Sequence, residues 1–127
     1  MKIRKAHILV RHFHNMEDDS AGIFYTEEGG GVVWLSDVIQ DTVGLFLNNS
    51  QEFRRLGGQT YNEQQRRVLL EMPMDSLVGL FRGPERKECT GVLIVYDCWK
   101  HLVVTSYPCA PRPRDLQPED DDGWLSS

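Results

Sequence analysis

Cysteine is scarce in this chain and does not pair. Cys89, Cys98 and Cys109 are odd in number and include no C-x-x-C spacing. A disulfide framework is therefore excluded as the expected source of stability, and a reducing compartment is expected. Long apolar runs are missing too. The longest without charge, Gly91 to Tyr96 and Leu102 to Pro108, fall far short of the roughly 20 residues that a membrane span needs, so no membrane association is expected. Near the N-terminus the apolar stretch is only Ile8 to Val10, too short for the core of a signal peptide. A cytoplasmic site of action follows as the expectation, either where the chain is made or after delivery into a target cell. Positive charge is also in deficit, with 14 Lys and Arg against 19 Asp and Glu and a net charge of −5. Tight, sequence-independent grip on long duplexes through many phosphates is disfavoured by that balance, whereas a small basic pocket is not.

What remains is ordinary globular material, 127 residues with 40% hydrophobic and 26% charged side chains. That length and composition fit one domain with one core. The acid excess sits mostly at the end, where Ala110 to Ser127 holds Pro111, Pro113 and Pro118 and then the acidic run Glu119 to Asp122. Such a stretch buries no face. The expected division is one α+β domain over 1–108 and a Pro-rich, acidic, flexible tail over 109–127. Trp124 and Leu125 are candidate anchors for the tail, which could also bind a basic partner or cover a basic groove of the chain itself.

Along the domain the hydrophobic period changes from helical to extended. In Lys5 to His14, Ile8, Leu9 and Phe13 fit a short helix about as well as Ile8, Val10 and Phe13 fit a strand, and helix is the preferred reading. Gly29, Gly30 and Gly31 mark a turn. Ser36 and Asp37 then form an N-cap for a helix to about Leu47, with Val38, Ile39, Val43, Phe46 and Leu47 on one stripe. Asn48 to Asn62 reads as a polar loop, with a turn of helix around Gln51 to Leu56. From Arg67 the pattern is of strands, at Arg67 to Met72, Leu77 to Arg82, Gly91 to Tyr96 and Leu102 to Tyr107, with turns at Asp75-Ser76, Gly83-Pro84 and Asp97 to His101. The expected fold is thus α+β, with N-terminal helices packed on one face of a four-stranded antiparallel sheet.

Two clusters can carry chemistry. His7, His12 and His14 crowd around Arg11. In a helix His7, Arg11 and His14 share a face, and in a strand His12 and His14 do. Imidazoles titrate near neutrality and suit general acid–base work, and a guanidinium binds phosphate bidentately. The plainer alternative is a set of polar positions on a half-exposed helix. A zinc site would need a ligand spacing that is missing here, with neither a Cys pair nor an H-E-x-x-H run, so no metal or cofactor is expected. The second cluster is Thr105-Ser106-Tyr107-Pro108, where the strand period puts Thr105 and Tyr107 on one face and Ser106 on the other. Both are also simply good strand formers.

The run His7-Ile8-Leu9-Val10-Arg11-His12, followed by Ser20 and Phe24, a helix, a polar loop, several strands and a closing Val-Val-Thr-Ser-Tyr-Pro, resembles the small bacterial nuclease toxins that group barnase, EndoU, colicin and RelE-like ribonucleases (the BECR superfamily). These are found as tips of polymorphic toxins and in phage-encoded proteins. The resemblance covers Lys5 to Pro108 and is densest at its two ends. It implies a metal-independent ribonuclease in which a 2′-hydroxyl attacks the adjacent phosphate. It also implies catalytic roles for His12 and His7 as acid–base groups, Arg11 and Thr105 as stabilisers of phosphorane charge, and Tyr107 as base-stacking, phosphate-orienting or proton-donating group. The implied partners are RNA, tRNA among the candidates, and a cognate immunity protein or antitoxin. His14, the stretch from Asn48 to Gln65 and the acid excess depart from that pattern. A reading from another class therefore stands beside it: a non-catalytic acidic binding protein, such as an immunity protein, an antitoxin or a phage inhibitor of a nucleic-acid-binding enzyme, whose Glu119 to Asp122 run imitates phosphates.

Overall fold

The computed structural model describes residues 1–12, 22–24, 31–75, 77–82 and 86–110. Among these the chain forms an α+β fold with three helices. Two sheets carry it: a five-stranded sheet in the order β1-β8-β7-β4-β3 and a three-stranded sheet in the order β2-β5-β6. The strands are β1 (Lys2–Ile3), β2 (Gly22–Phe24), β3 (Gln59–Tyr61), β4 (Arg67–Pro73), β5 (Gly79–Arg82), β6 (Arg86–Cys89), β7 (Gly91–Asp97) and β8 (Leu102–Cys109). The helices are α1 (Lys5–His12), α2 (Gly31–Asn48) and α3 (Ser50–Arg55).

The long strands β4, β7 and β8 pair antiparallel, as their alternating β-branched residues imply. The expected single four-stranded antiparallel sheet is corrected in three respects. Strand β5 leaves the main sheet to pair with β2 and β6. Polar β3 enters the main sheet beside β4. Strand β1 joins β8 in parallel, with Lys2 opposite Leu102, which makes the sheet mixed. None of these pairings has a hydrophobic period to announce it, because β1 and β3 are two and three residues long. Cys109 also completes β8 rather than beginning the tail, and residues 111–127 lie outside the described residues.

The core lies on one face of the main sheet, where Val68, Leu70, Met72, Val92, Ile94 and Tyr96 are almost fully buried. Helix α2 closes it with Leu35, Ile39 and Val43, one helical stripe four residues apart. Its start is five residues earlier than the Ser36-Asp37 cap predicts. Burying Leu35, 2% exposed, outweighs the local preference of Ser36 for a cap, and Ser36 Oγ instead accepts from Gln40 Nε2 at 3.1 Å. Leu47, placed on the buried stripe by its spacing, is exposed near the helix end. Phe24 meets Trp34 edge-on at 6.4 Å between ring centroids, and Phe46 meets Phe53 at 5.8 Å. Helix α1 contributes Ile8 to the same core and packs against β8.

Helix α3 is the turn of helix expected around Gln51 to Leu56 within the polar stretch. The Asn49 side chain accepts from the Glu52 amide at the start. At the end Gly57, at φ 97°, and Gly58 donate to the carbonyls of Arg54 and Phe53. This is a Schellman closure, which requires the left-handed conformation at Gly57. A Cβ on Gly58 would lie 2.6 Å from the Phe53 carbonyl oxygen, so the chain can turn into β3 here only through a residue without a side chain.

The turn from β7 to β8 is built on one buried carboxylate. Asp97, fully enclosed, takes both Arg66 Nε contacts, at 3.1 and 2.9 Å, and its Oδ1 accepts from the amides of Trp99 and Lys100 at 3.0 Å each. His101 closes the turn at φ 51°, its Nδ1 against the Tyr96 hydroxyl. Burial pushes the Asp97 carboxyl up. The Arg66 hydrogen bonds and charge, with the two amides, more than offset it and hold the pKa below the ordinary carboxylate range. A carboxyl whose pKa is depressed by folding stabilises the native state above its unfolded value, about 3.9. That stabilisation is lost as pH falls through the native value. Thermal melts between pH 7 and pH 2 are expected to show Asp97→Asn melting lower than the parent at pH 7 and losing less on acidification below pH 4. Parallel curves for the two proteins would refute the role given to Asp97.

Candidate functional site

Strand register decides which side chains share a surface. Gln59, Glu71, Leu93 and Tyr107 form one row across β3, β4, β7 and β8, and Tyr61, Leu69, Val95 and Thr105 form the next. Both rows lie on the face of the sheet opposite the α2 core, because each of these positions alternates with a core residue. Thr105 and Tyr107 therefore do share one face, as their spacing requires. Ser106 points the other way into the interior and donates to the Leu93 carbonyl at 2.8 Å. The bulge between Val95 and Tyr96 shifts the pairing so that Val95 faces Thr105 while Tyr96 faces Val103.

Thr105 Oγ1 is enclosed and has no hydrogen-bond partner among the described residues. Tyr107 is half-buried, and burial, with the neighbouring Cys109, raises its phenol pKa. At neutral pH Tyr107 is thus a phenol able to donate. About 10 Å away, two strand spacings along the same row, Glu71 accepts through Oε2 from the hydroxyl of Tyr61, in the next row, at 3.1 Å. Gln59, 4% exposed, leaves its Oε1 without a partner. These three polar residues on β3 and β4 escaped sequence reasoning. No apolar period marks Gln59-Thr60-Tyr61, so the sequence carries no signal for their place on this face.

The N-terminal cluster is helical over Lys5–His12, which settles the open choice between helix and strand. His7 and Arg11, four residues apart, fall on one stripe of α1. His12 falls on the stripe of buried Ile8, again four residues apart. His7 is half-buried and engaged with neighbours. Arg11 and His12 are placed by their backbone, their side chains being outside the described part. His14, Ser20 and the acidic run Glu119 to Asp122 also lie outside the described residues. Helix α1 packs against β8, the strand of Thr105 and Tyr107, but its Ile8 joins the α2-side core while Thr105 and Tyr107 lie on the opposite face of the sheet. Strands β2 and β5 of the second sheet touch β8 as well.

Among the described residues no group of three or more His, Cys, Asp or Glu side chains is arranged to hold a metal ion, and no helix is long and apolar enough to cross a membrane. The three cysteines are free. Cys109, beside Glu71 and Cys89, has its thiol pushed up to about 12, first by burial and then by those neighbours, so it stays protonated and unreactive at neutral pH. No family model, curated protein or solved structure gives a significant match to this chain.

Iodoacetamide at pH 8 is expected to modify the exposed Cys98 of the native protein, leaving Cys89 and Cys109 untouched until denaturant is added. Mass mapping of the alkylated peptides reads this directly, and fast native labelling of Cys109 would contradict the protected thiol described above.

Proposed function

We propose that this protein is a metal-independent endoribonuclease of bacterial toxin type. The observation that carries the reading is the docking of α1, with His7 and Arg11 on one stripe, against β8, where Thr105 and Tyr107 share a face and the Thr105 hydroxyl has no hydrogen-bond partner among the described residues. A hydroxyl donor without a partner and a phenol beside it suit an oxyanion, and an imidazole and a guanidinium one helical turn apart suit a phosphodiester and the hydroxyl next to it. In this mechanism His7 takes the proton of the ribose 2′-hydroxyl as its oxygen attacks phosphorus. Arg11 and the Thr105 hydroxyl donate to the non-bridging oxygens, where charge accumulates. Tyr107, held in its phenol form by burial, gives its proton to the departing 5′-oxygen. The products are a 2′,3′-cyclic phosphate and a 5′-hydroxyl, and the protons are restored when His7 returns its proton through water. We give the base role to His7 ahead of His12, because His12 lies on the stripe of buried Ile8. This reverses the order of the sequence-based expectation. The resemblance to BECR-type toxins supports the same chemistry, and a tRNA substrate and a cognate inhibitor belong to the proposal.

Total RNA and tRNA incubated with the purified protein in EDTA are expected to be cut, with cyclic phosphate at the new 3′ ends. His7→Ala and Tyr107→Phe should each slow cleavage by about 10²–10⁴-fold, the usual contribution of a proton-transfer group. His12→Ala should slow it less than His7→Ala, with melting temperatures within a few degrees of the parent. Intact RNA in every reaction would overturn the enzymatic reading and leave the acidic binding protein as the account.

A further inference from the structure

The end of the main sheet that carries the β7–β8 turn has a different character from the rest of this acidic chain. Trp99 is 79% exposed, the largest exposure among the described large hydrophobic residues. Exposing an indole to water is unfavourable, yet this one is held in place. Its own amide is bonded to Asp97, and the Arg66 guanidinium lies 5.0 Å from its ring centroid. Arg66 is in turn fixed by the same Asp97 carboxylate. One face of the indole is thus covered by a positioned cation, and the exposure leaves the other open.

Charge gathers around it. Lys100 is in the turn, Arg67 lies opposite Asp97 on β4, and Lys2 lies opposite Leu102 on β1, with its amide donating to the His101 carbonyl. Among the described residues the acids nearby are already engaged: Asp97 with Arg66, the turn amides and, at 4.0 Å, Arg67, and Glu63 with Arg54 at 3.3 Å. The patch therefore presents a net positive rim around an open aromatic face. A folded acidic protein would meet the charges without needing the ring, and duplex nucleic acid would meet the phosphate sites while keeping its bases stacked inside. Single-stranded nucleic acid uses both features, because each base has a face to stack and each link carries a phosphate.

We infer that Trp99, with Arg66, Arg67, Lys100 and Lys2, forms a stacking subsite for single-stranded RNA. A base lies on the open face of Trp99, and the flanking phosphates lie against the lysines and Arg67. Along β8 the distance from Leu102 to Thr105 is about 10 Å, so one strand can occupy this subsite and the β8 face together. The inference rests on the ribonuclease reading only for the identity of the polymer; the binding itself does not depend on cleavage.

Binding of a fluorescein-labelled, fully 2′-O-methylated oligonucleotide, which lacks the attacking hydroxyl, to the full chain tests it by anisotropy. Trp99→Ala is expected to weaken binding about 10- to 100-fold, the usual loss when a base-stacking ring is removed. Trp99→Phe should retain part of the affinity, and Lys100→Glu should weaken binding and reduce its salt dependence. Equal affinity for Trp99→Ala and the parent would overturn the proposal, as would tighter binding of a poly-glutamate peptide than of the oligonucleotide. Trp99-dependent binding without cleavage of any RNA would leave this subsite standing while removing the ribonuclease reading. Cleavage with Trp99-independent binding would do the opposite.

Discussion

A single enclosed carboxylate sets the geometry on which the other elements rely. Asp97 ends β7, shapes the turn that starts β8, and reaches Arg66 at the entry to β4. It therefore ties three strands together at one end of the sheet. A charge so buried is tolerable only because a guanidinium and two backbone amides are directed at it. Once β7 and β8 are in register, the alternation along them separates two surfaces. Val92, Ile94 and Tyr96 meet α2, while Leu93, Val95, Thr105 and Tyr107 make the other face. The site proposed for chemistry and the subsite proposed for stacking both hang from this one hairpin.

The strands with a clear apolar period were legible in the sequence: β4, β5, β7 and β8 fall within a few residues of where alternation and turn residues place them. Their assembly into sheets was not. Pairing is decided by backbone hydrogen bonds, and segments as short as β1 and β3 have too few side chains to display a period. Similarly, α2 begins before its expected cap because Leu35 gains more from burial than Ser36 gains from capping, a competition that local propensity does not weigh. The turn of helix read around Gln51 to Leu56 is present as α3, whose signals are a cap at Asn49 and a glycine pair rather than an apolar stripe.

For the candidate site the balance is similar. The two-residue period was enough to put Thr105 and Tyr107 on one face, and the chosen helix was enough to align His7 with Arg11. The polar residues across the sheet, Gln59, Tyr61 and Glu71, were out of reach because their membership in this face depends on the β3–β4 pairing, which leaves no trace in their own sequence. Trp99 was visible only as part of a turn. Its meaning comes from Arg66, a residue 33 positions earlier that the buried carboxylate brings over its ring.

The parallel pairing of β1 with β8 has a temporal consequence. Residues at the start of the chain find their strand partner about a hundred positions later, the costliest kind of contact to close by diffusion. Helix α1 follows β1 directly, so its anchoring on β8 waits until the last strand of the sheet has been made and aligned. During synthesis the histidines of α1 and the hydroxyls of β8 are on opposite ends of an unfinished molecule. A nascent chain thus carries β1 and α1 without their sheet partner until β8 itself has left the ribosome.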